Sequence, residues 1–317
     1  MPTRPRIKKG PRLLLTNWGK RAASQFLRLV PGTLALRRDL REAAWLLEAD
    51  AVVISYPKSG RTFIRSMLSR LYQRKFGVDE RGLLEFPLLR SAPRAAPRLL
   101  FTHGGDAMRR PEEIRIDPSH YHGKKLVLIA RDPADIAVSR YYHLKHRSRD
   151  KARQRLANQP LDSFVWAEEG CIPSIVTFLN QFATIPGITI IHYEDFLTKP
   201  GKTLKNLADA IGIDVDDVDI EDAVEFGKLP NLKELEREGY FTSKRLRQAR
   251  KGDERSGKVR RGTSGGYRGE LKPEVADRID TYIRDNLDPR LGYSGARGMS
   301  GGAKRVKSAA RPAAAAP

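Results

Sequence analysis

The sequence predicts an α/β protein, a three-layer sandwich with a central parallel sheet of the P-loop nucleotide-binding kind. Three observations predict it. Short apolar runs, AVVI at 51–54, LVLIA at 126–130 and ITII at 188–191, are spaced widely enough for crossover helices between them. Turn or polar residues close each run, and apolar patterns of helical period follow. The polar clusters fall just after the strand ends, where open parallel sheets bind ligands because loops and helix N-termini converge there.

Taken in order, Ala51–Tyr56 reads as a buried strand, closed by Pro57-Lys58-Ser59-Gly60 and followed by a helix from about Arg61 to Phe76. Pro87–Pro97, rich in Pro, Ala and Arg, reads as a surface crossing. Arg98–Thr102 is the second strand, ending at His103-Gly104-Gly105, and Lys125–Ala130 is the third, ending at Arg131-Asp132-Pro133 before a helix from Ala134 to about Lys145. One long helix is expected over Leu161–Thr184, then a fourth strand at Ile188–His192 ending in Tyr193-Glu194-Asp195. Helices at Gly201–Ile211, around Glu221–Lys228 and Asn231–Glu238, and at Lys272–Leu287 complete the series. Residues 242–268 are rich in Gly, Ser, Lys and Arg without a period, as a functional or disordered loop would be.

Charge divides the chain differently. The 317 residues carry 59 Lys and Arg against 38 Asp and Glu, a net charge of +21, yet 40% of them are hydrophobic, enough for a sizeable core. Residues 1–41 hold eleven basic side chains against one acid, and residues 294–317 hold five against none. Three parts are therefore expected: a basic amphipathic segment over 1–41, a catalytic domain over 42–293 and a disordered basic tail over 294–317. An excess concentrated in tails argues for contact with an anionic membrane surface or polyanion, not for sequence-specific nucleic-acid reading. Leu13, Leu14, Leu15, Trp18, Phe26, Leu27 and Leu29 alternate with Lys and Arg, which suits an interfacial helix and equally a stripe docked on the domain. No apolar run approaches membrane-spanning length, no signal-peptide pattern opens the chain, and the single Cys171 rules out an internal disulfide or a multi-Cys zinc site. The expected location is cytoplasmic, with peripheral membrane contact through the tails.

The segment AVVISYPKSGRTFIRSML has the layout of a phosphate loop, with Gly60 where backbone amides must approach an anion closely. It is not the Walker pattern, because Lys58 precedes the Gly and no Gly opens the loop. The third strand ends in Arg131 where an ATPase needs an acidic magnesium ligand. The pattern suits an anion without a metal, and read alone it also fits an ordinary strand-to-helix turn.

Four segments in order make the chain resemble the PAPS-dependent sulfotransferases. Tyr56-Pro57-Lys58-Ser59-Gly60-Arg61-Thr62-Phe63 matches their Y-P-K-S-G-T-T-W, and the run from Arg131 through Asp135, Ser139 and Tyr141 to His143 matches R-N-P-x-D-x-A-V-S-x-Y-x-H. Tyr193-Glu194-Asp195-Phe196 and Arg260-Arg261-Gly262-Thr263-Ser264-Gly265-Gly266-Tyr267 are the third and fourth, and the resemblance covers about residues 50–290. It implies sulfuryl transfer from PAPS to a hydroxyl, less readily an amine, with no metal. PAPS needs two anion cradles across a nucleoside. The resemblance puts Lys58, Ser59, Gly60, Arg61 and Thr62 at the 5′ group, and Arg131 and Ser139 at the 3′ phosphate. Arg260, Arg261 and Gly262 form a lid, and Phe63 and Tyr193 lie near adenine.

For chemistry, Lys58 is expected to neutralise charge on the bridging oxygen, and His103, standing where the family has K-T-H, to act as the base. Asp106 is the alternative base. Phe101 departs from the pattern, since many relatives carry Lys there, so a second cation must come from elsewhere. Apart from the resemblance, Phe63 reads as a core aromatic, and His103 and Tyr193 as structural strand-end residues. His143 and His146 lack an evident third metal ligand, though His143 is placed to reach the acceptor pocket. The acceptor, a small molecule, lipid or glycan, is expected against Leu83–Arg98, Asp106–Tyr121 and the loop around Tyr240. The competing readings are a P-loop phosphotransferase or nucleotide kinase and a basic membrane-surface binding protein.

Overall fold

The computed structural model describes residues 33–105, 107–148, 150–246 and 264–293. The chain divides into two compact units, Met1–Leu47 and Glu48–Pro317. In the first, the described element is helix α1 (Thr33–Glu48), rich in Leu, Ala, Arg and Glu, which favour helix. Its Arg41 guanidinium stands 5.1 Å from the centre of the Trp45 ring, one turn on, while Leu40 and Leu47 are exposed. The apolar stripe at Leu13–Leu29 and the basic tail 294–317 lie outside the described residues.

In the second unit, β1 (Ala51–Ser55) is buried at every residue, as its unbroken apolar run requires of a central parallel strand. A four-residue turn leads to α2 (Arg61–Phe76), which buries Ile64, Met67, Leu68, Leu71 and Tyr72 at helical spacing. Gly77 (φ 67°) ends this helix, its N–H reaching back to the carbonyls of Tyr72 and Gln73. The other strands are β2 (Leu99–Thr102), β3 (Lys125–Ala130) and β4 (Thr189–His192), all parallel, in the order β2-β1-β3-β4. Val53 stands opposite Phe101 on one side and Val127 on the other. The chain moves to one side of β1 for β2 and to the other for β3, so the loops after β1 and β3 border the switch point where a doubly wound sheet opens a crevice.

Helix α3 (Pro133–His146) follows β3, α4 is Ile172–Ala183, and the short α5 (Tyr193–Thr198) leaves β4. Then come α6 (Pro200–Ile211), α7 (Asp217–Gly227), α8 (Leu229–Glu238) and α9 (Pro273–Asn286). One sheet face, with Ala51, Val53, Val127 and Ile129, packs on apolar residues of α2, α6 and α7 in a single cluster. Alternation turns Val52, Ile54 and Leu128 to the other face, where α4 packs against β3. This is the expected three-layer α/β sandwich. Arg70 and Arg74 of α2 clamp Asp222 and Asp219 of α7, at 2.6 and 2.5 Å.

Two expectations are corrected. The single helix over 161–184 is two, Leu161–Phe164 and α4, because Gly170 takes a left-handed φ of 72° and Pro173 in the first turn of α4 starts a new helix. The surface crossing at 87–97 is partly an inner element: Phe86–Leu89 is helical, and Leu89 and Ala96 are buried.

Candidate active site

Two left-handed residues shape the loop after β1, Lys58 (φ 81°) and Gly60 (φ 79°). Such a sequence of backbone conformations turns consecutive N–H groups toward one concavity. Helix α2 opens directly behind it with no side-chain cap, so its first-turn amides add to the same positive end. Ser59 is fully buried, and its Oγ has no hydrogen-bond partner among the described residues. A buried hydroxyl of that kind fits an oxygen-rich anion seated in the loop. A Cβ on Gly60 would lie 2.2 Å from Cε2 of Tyr193, so the ring closes on the backbone there.

Arg131, at the end of β3, ties the second segment to the first. Its Nη1 donates to the Lys58 carbonyl at 2.9 Å, its guanidinium lies 4.5 Å from the Tyr193 ring centre, and Asp135 Oδ2 is 3.8 Å away. Its Nε is buried without a partner among the described residues, a second donor suited to an anion. A cavity of about 610 Å³ opens between these groups. Lys58, Gly60, Arg61, Thr62 and Phe63 line it, together with His103, Arg131, Ser139, His143 and Tyr193. Phe63 stands 6.2 Å edge-to-face from Tyr193, lines the cavity and packs on the core cluster as well. Residues scattered over four segments of sequence thus face one space. Arg260, Arg261, Gly262 and Asp106 lie outside the described residues.

His103 follows β2 and is half-buried. Its Nδ1 lies 2.6 Å from the Ser55 carbonyl, which can only accept, so Nδ1 carries the hydrogen. Nε2 is then the atom with a lone pair in the neutral ring, and Arg61 Nη2 donates to it at 2.6 Å. Phe101, two residues earlier, lies under the guanidinium of Arg65 at 4.3 Å. Arg65 is buried and donates from Nε and Nη2 to the carbonyls of Leu83 and Leu84, at 2.7 Å each. Those two residues are themselves left-handed, so this cation braces a strained turn. Burial, then the nearby charges of Arg245 and Arg61, lower the Arg65 pKa well below its ordinary value.

Several residues here had only weak signals in sequence. Asp135, present in the second motif without an assigned role, accepts from the Gly265 and Tyr267 N–H groups at 2.8 and 3.3 Å. It anchors the chain immediately after the Arg260–Gly262 stretch. Asp132 caps α3 by accepting from Ala134 and Asp135 N–H, while its own N–H donates to Glu194 Oε1 at 3.0 Å. Burial first, then the charges of Asp135 and Glu194, push the Asp132 carboxyl up to about 7. Tyr193 and Tyr293 are both raised, chiefly by burial. Residues 83–98 and 107–121, expected around the acceptor, are not among the residues lining this cavity; Leu229, Leu232, Arg245 and Leu246 are. His143 lines the cavity, whereas His146 is exposed and stacks on Tyr142.

Known proteins resemble this chain in sequence and in fold. A curated relative, cytosolic sulfotransferase 3 of Arabidopsis thaliana, is 26% identical over 257 residues, covering 76% of this chain and 77% of that one. The flavonol 3-sulfotransferase of Flaveria bidentis is 25% identical over 271 residues, 78% of this chain and 83% of its own. The crystal structure of mouse sulfotransferase SULT7A1 complexed with PAP shares the fold, with a TM-score of 0.56 and 18% identity over 80% of this chain and 90% of that one. The family profile of the sulfotransferase domain matches residues 48–290, and the chain belongs to that family.

Proposed function

We propose that this sulfotransferase moves a sulfuryl group from PAPS to a hydroxyl, less readily an amine, of a small-molecule acceptor. The observation that carries the assignment is the Arg131 guanidinium, which reaches from the end of β3 to the Lys58 carbonyl and so sets two anion-binding groups on one cavity wall. PAPS has a phosphosulfate and a separate 3′ phosphate, and it supplies the activated sulfuryl group. The loop amides, Ser59 Oγ and Thr62 would hold its 5′ end, Arg131 and Ser139 its 3′ phosphate, and Phe63 and Tyr193 would flank the base. The buried Ser59 Oγ and Arg131 Nε, without partners among the described residues, support this fit. Lys58 neutralises charge that grows on the leaving oxygen. His103 lines the cavity and would take the acceptor's proton on Nε2, since its Nδ1–H bond to Ser55 keeps the ring in the base-competent tautomer. Arg260, Arg261 and Gly262 would close over the cofactor, and Asp135 accepts from the N–H of Gly265, three residues further on.

A relative named for a flavonol supports a small phenolic acceptor, with lipids and glycans as the wider field. Relatives named as cytosolic support a cytoplasmic location, and the charge of residues 1–41 and 294–317 supports peripheral contact with anionic membranes. Among the described residues no helix is long and apolar enough to cross a membrane.

The test is thermal melting with 3′,5′-ADP, with and without EDTA, beside turnover of radiolabelled PAPS on phenols, sterols, glycans and lipid extracts. A ligand of the native state must raise the melting temperature. The expected shift is unaffected by EDTA. A shift that needs divalent metal, with ATP turnover, would instead establish the phosphotransferase.

A further inference from the structure

Two departures from the family pattern fall on neighbouring strand-end segments, one after β1 and one in β2. Where the motif has Thr the chain has Arg61, and where many relatives have Lys it has Phe101. Phe101 is covered by Arg65, whose Nε and Nη2 are committed to the carbonyls of Leu83 and Leu84. Arg61 instead lines the cavity and bonds the Nε2 of the proposed base. That bond uses the lone pair that must take the acceptor's proton. For transfer to proceed, Arg61 has to exchange His103 for another acceptor on the same wall, and the negatively charged sulfuryl oxygens are the strongest acceptors the reaction brings there.

We propose that Arg61 is a catalytic residue that passes between the base and the sulfuryl group. It releases His103 Nε2 when the donor's sulfuryl oxygens take its N–H groups, and it supplies the cation that Phe101 cannot. The balance is simple. The acceptor oxygen forms the new O–S bond, its proton goes to His103 Nε2, and the S–O bond to the bridging oxygen breaks with its electron pair left on the phosphate. Arg61 loses no proton and compensates charge on the group in flight. This rests on the sulfuryl-transfer reading, and it makes the base available only in the presence of donor.

The experiment compares wild type with Arg61→Thr and Arg61→Lys, measuring kcat, acceptor KM, and the affinities of PAPS and of 3′,5′-ADP. Arg61→Thr is expected to lower kcat about ten- to hundredfold and to weaken PAPS, while 3′,5′-ADP, which has no sulfuryl group, binds within about threefold of wild type. Arg61→Lys keeps a cation and recovers part of kcat. The idea is overturned if Arg61→Thr retains kcat within about threefold, or if PAPS and 3′,5′-ADP weaken equally, which would make Arg61 a phosphate-loop residue. Wild type that neither binds 3′,5′-ADP nor turns over PAPS would overturn the sulfotransferase reading itself, a separate outcome. Melting of each variant with 3′,5′-ADP shows that the loop is folded.

Discussion

Gly60 and Tyr193 meet so closely that no side chain fits between them: a Cβ on Gly60 would stand 2.2 Å from Cε2 and 2.4 Å from Cδ2 of the ring. The same glycine holds φ at 79°, in the left-handed region. Tyr193 belongs to α5, beyond β4, so the phosphate loop is shaped partly by an element over a hundred residues later. Gly60→Ala is therefore expected to push the ring aside and spoil the loop, with loss of 3′,5′-ADP binding and a lower melting temperature. Calorimetric titration with 3′,5′-ADP checks it; near-normal affinity in the variant would show that the loop does not hold the 5′ group.

Arg131→Ala removes a cavity cation that also ties down the Lys58 carbonyl. A charge-assisted contact contributes about 1.5–3 kcal/mol, so 3′,5′-ADP affinity should drop about ten- to a hundredfold. Ser139→Ala should act in the same direction with a smaller effect. If folded Arg131→Ala binds as tightly as wild type, Arg131 does not grip the 3′ phosphate.

His103→Ala should stop transfer and leave 3′,5′-ADP binding nearly intact, since loss of a general base typically costs about 10²–10⁴ in rate. Lys58→Ala should harm both, because its charge meets the 5′ phosphate before and during the reaction. Turnover and 3′,5′-ADP titration on the two variants separate these roles. High residual turnover in His103→Ala would move the base to another residue, with Asp106 the first to test.

Asp132 gives a pH dependence of stability. Its folded-state value of about 7 lies above the ordinary 3.8, so the folded chain holds this proton more tightly than the unfolded chain between those limits. Stability from this group is complete at about pH 4 and is lost as pH rises through about 7. Asp132→Asn keeps a side-chain oxygen to cap α3 and removes the charge that burial, Asp135 and Glu194 oppose. The variant should melt above wild type at pH 8 and together with it near pH 4, as followed by circular dichroism. The opposite order at pH 8 would mean that the charged carboxylate stabilises the cap.

What was legible in the sequence was local. The limits of α2 and β3 follow from short-range physics: apolar periodicity sets the element, Gly60 and Gly77 bound the first, and Arg131-Asp132-Pro133 stops the second. The resemblance of the chain's motifs to the sulfotransferase family pointed to several cavity-lining residues, which meet because strand-end loops of a parallel sheet share one edge. The break before α4 was also local, at Gly170 and Pro173, and an apolar pattern continuing across both residues hid it.

Tertiary structure decided which side chains meet. Arg61 and His103 are 42 residues apart and bond only because β1 and β2 are neighbours in parallel register. Asp135 and Gly265 are 130 residues apart, and their bond depends on where the segment after residue 263 returns to α3. The place of Arg61 in the loop was legible in the sequence, whereas the crossing of its side chain to His103 was not. Element boundaries obey interactions within a few residues of chain, whereas the reach of a long cation depends on strand order, and no short-range pattern carries that order.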